Sequence, residues 1–409
     1  MRTSARPYLF MVVATVVLAK YAAYLRQYVW PQIPLIKSHS PGIYVAAFGV
    51  LLAGILWLIY GGKRTASTRL QWFFALLIVA WCVQLGLAIL HEDMFAISVF
   101  LYVPVVFGLW MKTPNALDFE SGLRFLGWLV VAILVVTRTL EMLGWIPMVD
   151  VGKDLVAFEQ ANYWLPLSGS LGPPGRWPGP GGHNAMTGNS GAMLVILAAG
   201  LKGRSRYVFG LVGVLTLLLT SSRNSIMAVL VGVALIIMTG DNLLTRRFGR
   251  KVVIGAFLGL VALAVGYVLL LNRSLTGRTT YWDLFIDLWK QSPLVGVGQT
   301  GISAADATIA GTNGHNLIID SLVRYGILGV VAVVAFLVLA VVITVGASRR
   351  RLCLPLGIVG AFLTIGLVES DMSWIGLSEL WLWLVLAVGL AAQSQMNQGF
   401  QMESRQRGA

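Results

Sequence analysis

Four arginines and two histidines stand where an otherwise apolar chain turns polar. Arg176 and His183 lie in LPLSGSLGPPGRWPGPGGHNAMTGNSG, and Arg223 lies in TSSRNS at 220–225. Arg273, Arg278 and His315 lie in the stretch 272–329, the longest polar interruption of the chain. A guanidinium presents a planar fork that suits phosphate oxygens, and an imidazole can move a proton near neutral pH. Arginines gathered on an anion beside a histidine suit the handling of a lipid-linked phosphate or pyrophosphate. The histidine would then act on a sugar or phosphate hydroxyl. Each residue also has a plainer meaning. A loop arginine can touch lipid headgroups, one at a helix end can snorkel, and a histidine at a helix end is usually structural. The elements that would bring these residues together therefore decide the matter.

The first segment is too rich in Pro and Gly for helix or strand until His183. A helix is expected to begin at Asn184, whose side chain can cap it, and a helix N-terminus favours anions. The second segment is a tight turn between two short apolar runs, with hydroxyls on both sides of Arg223. In the third, Arg278 precedes YWDLFIDLWKQ, where Trp282, Phe285 and Trp289 share one face of a short helix expected to lie in a membrane interface. Asp283 and Asp287 stand four apart and could share a metal, although a solvated face is the commoner meaning of such a pair. Pro293-Leu-Val-Gly-Val-Gly298 reads as a turn, and a polar loop then leads to Gly314-His315-Asn316 at the mouth of the next apolar run. Asp320 and Arg324 follow one and two turns on, with Asp320 an unpaired acid within reach of His315.

The scaffold is apolar. Of 409 residues, 57% are hydrophobic and 11% charged, against about 25% charged in soluble domains. Apolar runs of about 20 residues recur, each able to cross a bilayer as a helix. About twelve are expected, near 8–28, 42–61, 71–90, 94–111, 124–146, 184–201, 207–221, 224–240, 252–271, 316–346, 353–369 and 376–393. Alternate loops carry Lys63, Arg64 and Arg69, then Lys112 and Arg124, then Lys202, Arg204 and Arg206, then Arg246, Arg247, Arg250 and Lys251, then Arg349, Arg350 and Arg351. By the positive-inside rule that side is cytoplasmic, as are both termini, and the first apolar run reads as a retained helix.

The net charge of +13 thus belongs to membrane loops, and no nucleic-acid motif accompanies it. The chain reads as one membrane domain over 1–409, with outer loops at 147–183 and 272–315. His39, His91, His183 and His315 all fall on or near the outer side, and Arg138, Glu141, Asp320, Arg324, Glu369 and Glu379 lie in the outer halves of their spans. A transporter would bind near the midplane between repeats, and neither midplane polar groups nor an internal repeat is evident. Cys82 and Cys353 have no metal-ligand spacing and suggest no structural disulfide. Glu92-Asp93 reads as a loop charge.

With these pieces in order, the chain resembles the O-antigen ligases and related polysaccharide polymerases of bacterial membranes. The resemblance rests on Arg176 with His183-Asn184, on Ser222-Arg223-Asn224-Ser225, and on Gly277-Arg278 with Trp282 and Pro293–Gly298. It rests most on His315-Asn316-x9-Gly326-x-x-Gly329. It implies an all-helical membrane fold of the GT-C type. It also implies transfer of a glycan from undecaprenyl pyrophosphate to an acceptor hydroxyl on the periplasmic side of the inner membrane, with inversion and without cofactor or metal. A ligase would use lipid A–core as acceptor, and a polymerase another lipid-linked repeat. By the same resemblance His315 would be the general base or acceptor-positioning residue, and Arg176, Arg223 and Arg278 would hold the pyrophosphate, with Arg273 able to take the place of Arg278. His183, Asn316, Asp320 and Arg324 would support them.

Overall fold

The computed structural model describes residues 6, 9–14, 17, 68–91, 114–144, 177, 179, 184–239, 278–305, 316–348, 352–368 and 379–407, and all elements among them are helices. The apolar runs become α1 (Thr68–Leu90), α2 (Ala116–Met142), α3 (Asn184–Gly200), α4 (Ser205–Thr220) and α5 (Arg223–Thr239). The polar stretch contributes α6 (Arg278–Gln291) and α7 (Gly298–Ala305). The chain then closes with α8 (Leu317–Ser348), α9 (Leu354–Val368) and α10 (Glu379–Arg407). The expected spans near 42–61, 94–111 and 252–271, and most of 8–28, lie outside the described residues.

Small residues let the helices approach closely. A Cβ on Gly213 of α4 would lie 2.8 Å from the carbonyl oxygen of Gly191 in α3, and one on Gly357 of α9 would lie 2.8 Å from that of Gly232 in α5. Close backbone approach of this kind is how helices associate where hydrophobic burial offers little preference. The contacts also fix direction. Gly357 packs on Ile236 while Gly360 packs on Leu235 and Val231, so α5 and α9 run antiparallel. Gly122 meets Leu386 while Gly389 meets Phe119, so α2 and α10 do too.

Followed through, these pairings give the bundle two distinct ends. One gathers Arg6, Arg69, Arg124, Lys202, Arg204 and Arg206 around the starts of α1, α2 and α4. The other gathers His91, the starts of α3, α5 and α8, and both α6 and α7.

Apolar side chains also face outward. Val331, Val334, Val338 and Val342 form an exposed stripe on α8, as do Leu211, Val214 and Leu215 on α4. Helices apolar on the core side and on the outer side are those of a membrane protein. Among the described residues, α2 and α8 are long and apolar enough to cross a bilayer by length and composition.

Three expectations need correction. Helix α2 begins at Ala116, ahead of the apolar run at 124, because Asn115 caps it through the Asp118 amide at 2.9 Å. Its first turns are polar and sit at the basic end, where Arg6 and Arg124 pair with Asp118 and Glu120. The apolar face of α6 does not simply lie on a membrane interface. Phe285 and Leu288 are buried against Ile302 of α7 and Val323 of α8, which makes the helix part of the protein core. Finally, the span expected unbroken over 316–346 contains a break at Gly326.

Candidate active site

Arg223 is held by a built turn. Helix α4 ends at Ser221, in the left-handed region (φ 48°), and α5 begins two residues later. Ser222 occupies the N-cap: its hydroxyl faces the Ser225 amide at 3.4 Å, and its carbonyl accepts from the Ile226 amide at 3.1 Å. The Ser222 and Ser225 hydroxyls stand 2.7 Å apart, and Ser225 Oγ donates to Asn189 Oδ1 of α3 at 2.8 Å. A side chain at residue 188 would strike both serines, so Gly188 is what lets the turn seat on α3. Thr220, Ser221, Ser222 and Ser225 are all buried, and Arg223 is half-exposed at the first position of α5. A guanidinium at a helix N-terminus joins its charge to that of the helix dipole, a combination suited to anions.

The start of α8 lies at the same end of the bundle. Asn316 accepts from the Ile318 and Ile319 amides at 2.9 and 3.1 Å, and its Nδ2 donates to the Leu367 carbonyl of α9 at 2.9 Å. It is thus the N-cap of α8 and a tie to the end of α9. From the Gly232–Gly357 crossing, Arg223 lies about 14 Å along α5 and Leu367 about 15 Å along α9, in the same direction. The Arg223 turn and the residue following His315 therefore share one level. Asp320 and Arg324, both fully buried, form an ion pair at 3.7 Å. The expectation of an unpaired acid poised for His315 is corrected accordingly.

The Gly-rich turn has a structural task. The 293–298 segment is clasped into the break of α8: Val297 N–H donates to Val323 O at 2.7 Å, Ile327 N–H to Pro293 O at 3.0 Å, and Leu328 N–H to Leu294 O at 3.2 Å. Gly326 takes φ +63° at the break, and a Cβ there would fall on the Leu294 carbonyl. On the far side, His91 ends α1 with Nε2 3.1 Å from Val295 O, its own carbonyl accepting from Thr300 Oγ1 at 2.9 Å. The loop glycines and the glycine of the α8 motif are thus two halves of one backbone interlock, which anchors α6 beside the start of α8.

Trp177, the residue after Arg176, is fastened at the same end. Its indole Nε1–H donates to Glu141 Oε2 at 2.7 Å, its amide donates to Leu219 O at 3.0 Å, and the Arg138 guanidinium lies 5.7 Å from its ring centre. Arg278 opens α6, Asp283 is exposed, and Asp287 pairs with Lys290 at 2.7 Å. Arg176, His183, Arg273 and His315 lie outside the described residues, as do Glu92 and Asp93. Cys82 and Cys353 are free thiols.

Comparison with known proteins centres on this end of the molecule. The family model for O-antigen ligase matches residues 208–334, from α4 through the α8 break, taking in both the Arg223 turn and the interlock. Over that segment the chain is similar to the O-antigen ligase family. The exopolysaccharide production protein ExoQ of Rhizobium meliloti (strain 1021) is similar to the chain, with 27% identity over 280 residues. That similarity covers 60% of this chain and 63% of ExoQ, so less than two thirds of the relative is spanned.

Within the family segment, Arg223, Asn316, Asp320 and Arg324 are positioned by α5 and α8. Sequence reasoning missed His91, Asn189 and the Glu141–Trp177 link. Asn316 gave a readable signal, since Asn is a preferred N-cap residue ahead of an apolar run. The others act across long sequence separations, which leave no local pattern.

Proposed function

We propose that the protein is a membrane glycosyltransferase that moves a glycan from undecaprenyl pyrophosphate to an acceptor hydroxyl, at the end of the bundle bearing the starts of α5 and α8. The observation that carries this is the Arg223 turn: a partly exposed arginine at the first position of α5, in a turn fixed by buried hydroxyls, level with the cap that follows His315.

In this reading the acceptor oxygen attacks the anomeric carbon as the bond from that carbon to the pyrophosphate oxygen breaks, and the centre inverts. His315 takes the acceptor proton. Arg223, with Arg176 and with Arg278 or Arg273, neutralises the departing pyrophosphate, so no metal is needed. His183, Asn316, Asp320 and Arg324 support the site, Asn316 by fixing the start of α8.

The basic end would face the cytoplasm, which puts both termini there and the site on the periplasmic side of the inner membrane. The outer loops at 147–183 and 272–315, about twelve spans and a GT-C-like architecture complete the proposal. The family description, O-antigen ligase, supports a ligase, for which the proposed acceptor is lipid A–core. The relative's role in exopolysaccharide production favours the second reading, a polymerase that joins lipid-linked repeats.

The test uses protein in nanodiscs with an undecaprenyl-pyrophosphate-linked glycan, with and without lipid A–core. A lipid A–glycan conjugate means ligase; a ladder of longer lipid-linked glycans without lipid A–core means polymerase. Neither product with either acceptor would remove the transferase reading.

A further inference from the structure

We infer that Glu141 and Trp177 are positioning residues that set the height of Arg223, an inference that rests on the role proposed above for that arginine. Glu141 is a carboxylate near the end of an apolar helix, only 2% exposed. A buried charge at such a depth is costly unless it is paired and hydrogen-bonded. Here one oxygen, Oε2, receives the Arg138 guanidinium at 3.2 Å and the Trp177 indole N–H at 2.7 Å. Arg138 also lies against the Trp177 ring, so ring and carboxylate are held as one unit.

The other side of Trp177 reaches the Arg223 turn. Its amide donates to Leu219 O, one of the last α4 carbonyls, which have no partner within their own helix. Between Leu219 and Arg223 lie Thr220, Ser221 and Ser222, all buried, with Ser221 in the left-handed region and Ser222 capping α5. This connection has no slack, so the position of the Leu219 carbonyl is passed on to Arg223. Nearby, Gly179 takes φ +55° where any Cβ would strike Thr187 of α3, which presses the same segment against the helix that carries Asn189. The Glu141–Trp177 link thus ties α2 to the end of α4 and the start of α5. A shift of about 1 Å far from the reacting atoms can cost about a hundredfold in rate, so such a tie bears on turnover.

The experiment is a double-mutant cycle on the full chain in nanodiscs, with an undecaprenyl-pyrophosphate-linked glycan as donor. Trp177→Phe keeps an aromatic ring, though a smaller one, and removes the indole donor. It is expected to lower kcat about tenfold with KM for the donor within about twofold. In an Arg223→Ala background the same change should cost less than about twofold, because its effect runs through Arg223. Wild-type kcat in Trp177→Phe, or a full tenfold loss on top of Arg223→Ala, would overturn the inference.

If Trp177→Phe does not accumulate folded, Glu141→Gln decides. It keeps an acceptor for the indole but loses the charge that strengthens the bond. It should lower kcat about threefold at unchanged KM, and not at all beside Arg223→Ala; wild-type kcat would overturn the inference. Wild-type turnover by Arg223→Ala itself would instead remove the role proposed for that arginine, a separate result.

Discussion

The two ends of the bundle use charge in opposite ways. At the basic end, arginines at the surface tie neighbouring segments, with Asp118 the one buried partner among these contacts. Arg6 reaches Asp118 at 3.2 Å with its own side chain half-exposed. Arg124 bonds Glu120, the Lys202 carbonyl and Ser205 Oγ, and Arg69 reaches Gln395 at 3.2 Å. At the opposite end the charges borne by α2 and α8 go inward, with Glu141, Asp320 and Arg324 buried, while the Asp287–Lys290 pair of α6 stays exposed, and backbone groups are exchanged between segments. Exposed pairs contribute little to stability each, whereas a buried charge left without its partner costs several kcal/mol. The exposed pairs of the basic end can therefore vary at little cost. The opposite end is over-determined, which suits the role proposed above for its arginines.

This contrast can be broken most severely at the interlock. Gly326→Val places a branched side chain at φ +63° on the Leu294 carbonyl, and little folded protein should reach the membrane. Size-exclusion profiles of detergent extracts check this, and a wild-type yield with a wild-type melting midpoint would show that the break tolerates a side chain. Next comes His315→Ala, which should lower transfer by about 10²–10⁴-fold in a folded protein. Turnover near that of wild type would remove the base.

Arg223→Lys sharpens the comparison further. A point charge cannot reproduce the guanidinium fork, and a loss of about tenfold or more is expected; unchanged kinetics would make Arg223 a surface anchor. The smallest effect belongs to the basic end. Arg124→Ala should destabilise the protein by about 1 kcal/mol or less, read from its melting midpoint, with transfer unchanged. EDTA should likewise leave turnover intact, and a strict need for a divalent ion would return attention to Asp283, Glu92 and Asp93.

Much of the scaffold was legible because a helix exposed to lipid is a run of apolar residues, and such runs are local. The limits of α3, α4, α5 and α9 fall within a few residues of those runs. Within the site, the Arg223 turn was legible from its hydroxyls between two short runs. The break in α8 was not. Gly326 sits in a run that reads as one span, and only the distant 293–298 segment gives its backbone another partner. Phe285 and Trp289 carried the right periodicity for a helix, but periodicity does not say whether a face meets lipid or protein. Asp320 looked available to His315, although the i, i+4 spacing also puts Arg324 within its reach.

The clasp at Gly326 also constrains biogenesis. The amides of Ile327 and Leu328 find their acceptors on residues 293 and 294, ahead of α8 in the chain. A buried amide without an acceptor costs about 1–3 kcal/mol, so α8 alone does not hold its broken shape. Either it inserts as an unbroken rod and is opened later, or it arrives with the preceding loop already attached. The acceptors at 293 and 294 precede α8 in the chain, so they leave the ribosome before it.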